Sequence, residues 1–183
     1  QEGNNVFSNG GPEGSEMLRH AIAGCLHAMH DSALVFAPHA NSYERLVPDA
    51  HAPNAICWAY ENRTSAIRVP SGSPAARRIE HRTAGGDVNP YLMLTAILGA
   101  ALIGIEEKMQ PPAPITGNAY AMDLPLIPAT WEEAIDVFEQ SKIMPRIFSK
   151  ELIRNLVMTK RQELHYMAEL SPTERTEIYL DTV

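Results

Sequence analysis

No lysine occurs before Lys108, so every formal cation in the first half of the chain is an arginine. That absence excludes a diffuse ammonium surface there. It leaves planar guanidinium forks, the side chains that grip carboxylate or phosphate with two parallel bonds. Only two cysteines occur, Cys25 and Cys57, both inside apolar runs. A disulfide framework is excluded, and a reducing cytoplasm fits. With a formal net charge of -7, the chain lacks the broad basic face that a general nucleic-acid binder needs. It also lacks an uncharged run of the roughly 20 apolar residues that cross a bilayer. The nearest candidate, Val88 to Ile105, is interrupted by Asn89, Pro90, Thr95, Gly99 and Gly104. It predicts a buried central helix with Asn89 as cap and Pro90 in the first turn. The opening residues have neither a charged n-region nor an apolar h-region, and no secretory signal is visible in them. Beginning Gln1-Glu2-Gly3 without methionine, the sequence is expected to be a fragment or a processed chain.

What is present is enough apolar material for a real core: 183 residues, 45% of them hydrophobic, the size of one domain or a compact part of a larger one. Met17 to His30 sets Leu18, Ile22, Cys25, Leu26 and Met29 on one helical stripe with His20 and His27 opposite, predicting a helix that packs through its aliphatic side. His27 and His30, with His20 and His39 nearby, lack the cysteine pair of a zinc site, and the helical positions are expected on a solvated face. Ala55 to Tyr60, Thr64 to Val69 and Arg77 to Arg82 have the composition of short strands. The last two, joined by the turn Pro70-Ser71-Gly72-Ser73-Pro74, are expected to pair antiparallel. Pro111-Pro112-Ala113-Pro114 starts a non-helical segment that runs to Pro128, long enough to be functional or to lie on an interface. Capping signals at Thr130, Ser149 and Ser171 make the C-terminal third helical. The fold class is therefore α+β, with short antiparallel strands packed by helices.

The most informative stretch runs from Arg63 to Arg82, where five arginines surround Glu80. If Arg78 to Arg82 is extended, alternation sends Arg78, Glu80 and Arg82 to one face and holds a carboxylate between two guanidiniums. Such an array suits shaped anions with an associated metal. A surface ladder of ion pairs is the plainer alternative.

Four ordered motifs resemble the C-terminal catalytic half of type I glutamine synthetases: Asn41 to Pro48, Asn62 to Pro70, Arg78 to Arg82 and Asn89 to Leu92. The resemblance covers nearly all of residues 1–183. Within that superfamily the segments PHANSY, CWAYENRT and PPAPITGNAYA look most like the γ-glutamylpolyamine synthetase branch. The resemblance implies a small sheet curving around an active site with helices outside it, and an N-terminal β-grasp domain and first catalytic half lying elsewhere. It implies a ligase that makes γ-glutamyl phosphate from glutamate and ATP with Mg2+ or Mn2+ and passes it to an amine. Arg45 and Arg82 would hold the glutamate carboxylates, Arg82 also lying near the transferred phosphate. Arg63 and Arg68 would contact ATP phosphates, Arg78 the nucleotide, and Glu80 the metal. Arg63 and Arg68 have opposite strand parity, so they share a face only if Arg63 precedes the strand or a bulge intervenes. His51 stands where ammonia-using members carry a glutamate, and it could act as a base toward a larger amine. Tyr120 lies in a segment similar to the modified tyrosine loop of some members. The implied assembly is a cytoplasmic ring of twelve subunits with sites shared between neighbours, so this piece alone is expected to be inactive. The acceptor is left among a polyamine, another small amine and ammonia, and a non-catalytic relative that binds nucleotide or amine is the competing class.

Overall fold

The computed structural model describes residues 4–47 and 52–182. Six α-helices frame it: α1 (Glu16–Met29), α2 (Ala33–Phe36), α3 (Pro90–Glu106), α4 (Trp131–Gln140), α5 (Lys150–Ala168) and α6 (Pro172–Thr182). The three strands are short: β1 (Trp58–Tyr60), β2 (Ile67–Val69) and β3 (Glu80–His81). The α+β class and the helical C-terminal third are as the sequence predicts.

Helix starts follow the capping chemistry. Asn89 Oδ1 accepts from Tyr91 N at 3.0 Å and Leu92 N at 3.2 Å, with Pro90 opening α3. Ser149 Oγ accepts from Leu152 N at 3.1 Å. Ser171 and Glu174 exchange backbone N–H and side-chain oxygen in both directions, a complete capping box.

Each predicted strand loses its first residues. Ahead of β2, Asn62 Oδ1 accepts from Thr64 N at 2.9 Å and makes a turn. Ahead of β3, Pro74–Ala76 forms a 3-10 turn. The sheet order is β1-β2-β3. β2 and β3 pair antiparallel as expected, with Arg68 opposite Glu80, but β1 and β2 run parallel. The sheet is thus mixed, which departs from wholly antiparallel strands. The cause lies in the 61–66 connection, which does not close as a two-residue hairpin: Glu61 takes a left-handed φ of 54° and the chain crosses back before re-entering beside β1. Along the β1 side the proline segment supplies partners, Ile115 N donating to Trp58 O at 3.0 Å and Ile56 N to Pro125 O at 2.7 Å. Trp58 Nε1 donates to Pro112 O at 2.7 Å.

One contiguous core joins Trp58, Ile67 and Val69 of the sheet to Phe36, Ile135, Phe138 and Met144 of the helices. The α1 and α3 helices correct two expectations. α1 is covered on nearly every side, because its small residues also pack against α3. A Cβ on Gly24 would sit 2.1 Å from Ala100 O and 2.8 Å from Gly104 N. His20, expected in solvent, is half-buried with Nδ1 2.7 Å from Met109 O, whereas His27 is exposed. α3 is not a central buried helix: only Ala96, Ala100, Ile103 and Gly104 are buried. Its other face leaves Tyr91 81%, Leu98 66% and Leu102 54% exposed. No helix among the described residues is long and apolar enough to cross a membrane.

Candidate active site

The sheet gathers the arginines. Residues directly opposite on antiparallel strands project to the same face within about 5.5 Å of each other, so the Arg68–Glu80 register puts guanidinium beside carboxylate. Arg68 NH1 lies 3.3 Å from Glu80 Oε2, and Arg82 Nε lies 3.1 Å from Glu80 Oε1. Glu80 is therefore held between two guanidiniums, as alternation predicts, but one of the two is Arg68 rather than Arg78. Regular alternation begins only at Glu80, so Arg78 stands outside it. Arg78 is exposed and donates to Ala76 O at 3.2 Å.

Arg63 lies in the turn before β2, which removes the parity conflict with Arg68. Both line a cleft of about 710 Å³ with Glu61, Asn62, Ile115 and Gly117. The proline segment forms its far wall, fixed there by Asn62 Nδ2 donating to Gly117 O at 2.7 Å and Ala119 N donating to Thr64 Oγ1 at 2.9 Å. Arg82 NH1 donates to the carbonyls of Arg63 and Ser65, so the turn carrying one cation is braced by another.

Glu61 was not visible from the arginine pattern. Its Oε2 lies 3.4 Å from Arg68 NH2, making Arg68 a bridge between two carboxylates. The Ser71 amide, and with it the Arg68 guanidinium, holds the Glu61 carboxyl below the ordinary range. Its left-handed backbone is set by the crossover and has no sequence signal in a non-glycine residue. Arg77 belongs to the sequence cluster but not to this ion-pair set. It is buried, donates to Gly11 O at 3.2 Å and borders a second cleft of about 460 Å³ with Glu13, Tyr60 and Glu61.

Arg45 ends the short 3-10 segment Ala40–Arg45. Its NH1 donates to Thr83 O at 2.9 Å and its NH2 to Phe36 O at 2.8 Å. Burial lowers its pKa, opposed by the neighbouring Asp87 carboxylate. This anchoring fixes Arg45 next to the chain that carries Arg82. His51, the expected base, lies outside the described residues.

Arg68 lies between the carboxylates of Glu61 and Glu80, Arg82 pairs with Glu80 and Arg63 lines the same cleft as Arg68, so three guanidiniums to two carboxylates leave an excess of positive charge that fits a polyanion. Glu80 can offer oxygen to a hard cation, but among the described residues no three His, Cys, Asp or Glu side chains gather in one place. The described residues alone do not complete a metal site.

A family model described as glutamine synthetase, catalytic domain, matches residues 1–178. The γ-glutamylethanolamide synthetase GlnA4 of Streptomyces coelicolor is 40% identical over 89% of this chain and 35% of its own length. The γ-glutamylputrescine synthetase PuuA of Escherichia coli is 31% identical over 88% of this chain and 34% of its own. A solved GmaS/ADP complex superposes with a TM-score of 0.79 at 28% identity, covering 95% of this chain and 42% of that one. The chain spans about a third of the length of these curated relatives.

Proposed function

The chain belongs to the glutamine synthetase catalytic-domain family, and from that premise we propose that the full-length protein is an ATP-dependent ligase joining glutamate to an amine through γ-glutamyl phosphate. The observation that carries this reading is the carboxylate of Glu80 shared by Arg68 and Arg82, beside a cleft that Arg63 also lines. The γ-carboxylate oxygen of glutamate attacks the terminal phosphorus of ATP and ADP leaves. The amine nitrogen then attacks the acyl carbon, phosphate leaves with the C–O bond pair, and the amine loses a proton. Charge develops on the transferring phosphoryl group and on the tetrahedral adduct, where fixed guanidiniums stabilise it.

In this reading Arg63 and Arg68 contact ATP phosphates, and exposed Arg78 is free to reach the nucleotide. Arg82 lies between the phosphoryl group and the glutamate, whose other carboxylate is held by Arg45. Glu80 would give one ligand to Mg2+ or Mn2+, with the remaining ligands supplied from outside the described residues, and the metal would supply neutralisation of phosphate charge. His51 serves as base toward the incoming amine. The γ-glutamylamine assignment, a polyamine or another small amine in place of ammonia, is supported by GlnA4 and PuuA, whose named products differ in the amine while glutamate stays the same. A cytoplasmic ring of subunits completes the proposal; the two free, buried cysteines are compatible with a reducing compartment.

The test is ATP-dependent phosphate release by the full-length protein with glutamate and, separately, putrescine, spermidine, ethanolamine, isopropylamine and ammonium. Preference for one of the organic amines is the expected result. Preference for ammonium makes the protein a glutamine synthetase proper, and no turnover with any of the five makes it a non-catalytic relative.

A further inference from the structure

Away from the arginine sheet, α5 buries a lysine. Lys160 is 8% exposed and pairs with Glu163 Oε2 at 2.7 Å. The other oxygen of Glu163 lies 3.0 Å from His39 Nδ1 and accepts from Tyr179 OH at 3.3 Å. Tyr179, on α6, is 6% exposed, and its hydroxyl oxygen accepts from Ala40 N at 3.2 Å. Its ring meets His39 edge-on, with centroids 5.0 Å apart. The Lys160 ammonium also sits 5.7 Å from the centre of the Trp131 ring. Burying a charged pair costs desolvation, which neighbours of this kind offset.

The position of this cluster is informative. Ala40 is the first residue of the segment that ends in Arg45. Ser42, in its middle, donates to Asp87, and Arg45 at its end holds Phe36 O and Thr83 O. The segment is therefore held at its start by α6, in its middle by the loop after β3, and at its end by the chain adjoining Arg82. Fixing a short 3-10 segment at its first amide limits where its last side chain can point.

We propose that Tyr179, Glu163, His39 and Lys160 form a latch through which the C-terminal helix α6 positions Arg45. Tyr179 and Glu163 are positioning residues, since neither touches the proposed reacting groups. The kinetic part of this inference rests on Arg45 binding substrate, as in the preceding section. The structural part does not.

The test is Tyr179→Phe in the full-length protein, which keeps the ring and deletes both hydrogen bonds. Amide exchange is expected to accelerate about tenfold over residues 40–46 while α5 and the sheet keep their rates. The KM for glutamate should rise about fivefold with kcat within about twofold, the split expected when substrate binding alone is lost. A second variant, Glu163→Gln, retains an acceptor for Tyr179 and should leave exchange at residues 40–46 closer to wild type than Tyr179→Phe does. Unchanged exchange over 40–46, or acceleration spread over the whole chain, overturns the latch. Faster local exchange with an unchanged KM overturns the positioning of Arg45. If the wild type turns over no amine, the functional reading has failed, and the exchange measurement still decides the latch.

Discussion

The crossing of α1 and α3 and the arginine sheet are held by opposite means. At the crossing, two glycines let backbones touch: a Cβ on Gly104 would lie 2.1 Å from His20 O and 2.6 Å from Gly24 N. No charge is involved and nothing can be added. In the sheet, strands of two or three residues are tied together by guanidiniums that reach carboxylates and borrowed carbonyls, on side chains partly open to solvent. Glu61 and Glu80 are 49% and 35% exposed and Arg68 15%. Ion pairs this open contribute about 0 to 1 kcal/mol each. One face of the sheet is thus packed into the core through Trp58, Ile67 and Val69, while the other carries matched charges open to a cleft, where a ligand could add contacts; the crossing has no such open face.

Gly24→Ala should break the comparison on the stability side most strongly. Overpacking against backbone with no flexible neighbour is expected to cost about 3 kcal/mol, read as a lower urea midpoint at unchanged slope. Arg82→Ala in the full-length protein is expected to cost about 1 kcal/mol of stability but about 100-fold in turnover, the scale of losing one fixed charge at a developing anion. Arg45→Lys falls between the two regions. A single ammonium cannot serve Phe36 O and Thr83 O with the geometry of the fork, and about 1 to 2 kcal/mol should be lost in denaturant unfolding.

The smallest expected effect is on the pH dependence of stability, at Glu163. Burial raises its pKa, but hydrogen bonds from His39 and Lys160 outweigh this and hold the carboxyl below the usual range. Its folded pKa is depressed, so its contribution is present above the unfolded value near 4.3 and lost as pH falls through the folded value. Glu163→Gln should flatten that part of the acid limb while leaving the curve near neutrality parallel to wild type.

The two regions were not equally legible in the sequence. Helix starts at Asn89, Ser149 and Ser171 follow from local capping chemistry and needed no tertiary information. The placement of Glu80 between two guanidiniums is also legible, because opposite charges two residues apart or across a strand are forced together by the pleat. Its partner was not: Arg78 and Arg68 are equivalent until the register places Arg68 opposite. Glu61 escaped because a left-handed backbone at a glutamate has no compositional mark. The burial of α3 is not legible because a helix apolar on every side does not say which face is covered. Gly24, Ala100 and Gly104 decide that only once the crossing is known. The latch at Tyr179 joins residues more than a hundred positions apart, and no local pattern brings them together.

Arg68 tests the central claim most directly, since it bridges both carboxylates and lies in no helix or glycine contact. Arg68→Ala in the full-length protein should be followed by urea unfolding and by ATP-dependent phosphate release under saturating glutamate and amine. A stability change within about 1 kcal/mol together with at least about a 100-fold loss of turnover is the predicted result. A stability loss of several kcal/mol with turnover retained would contradict it, and would make the arginine sheet a structural ladder.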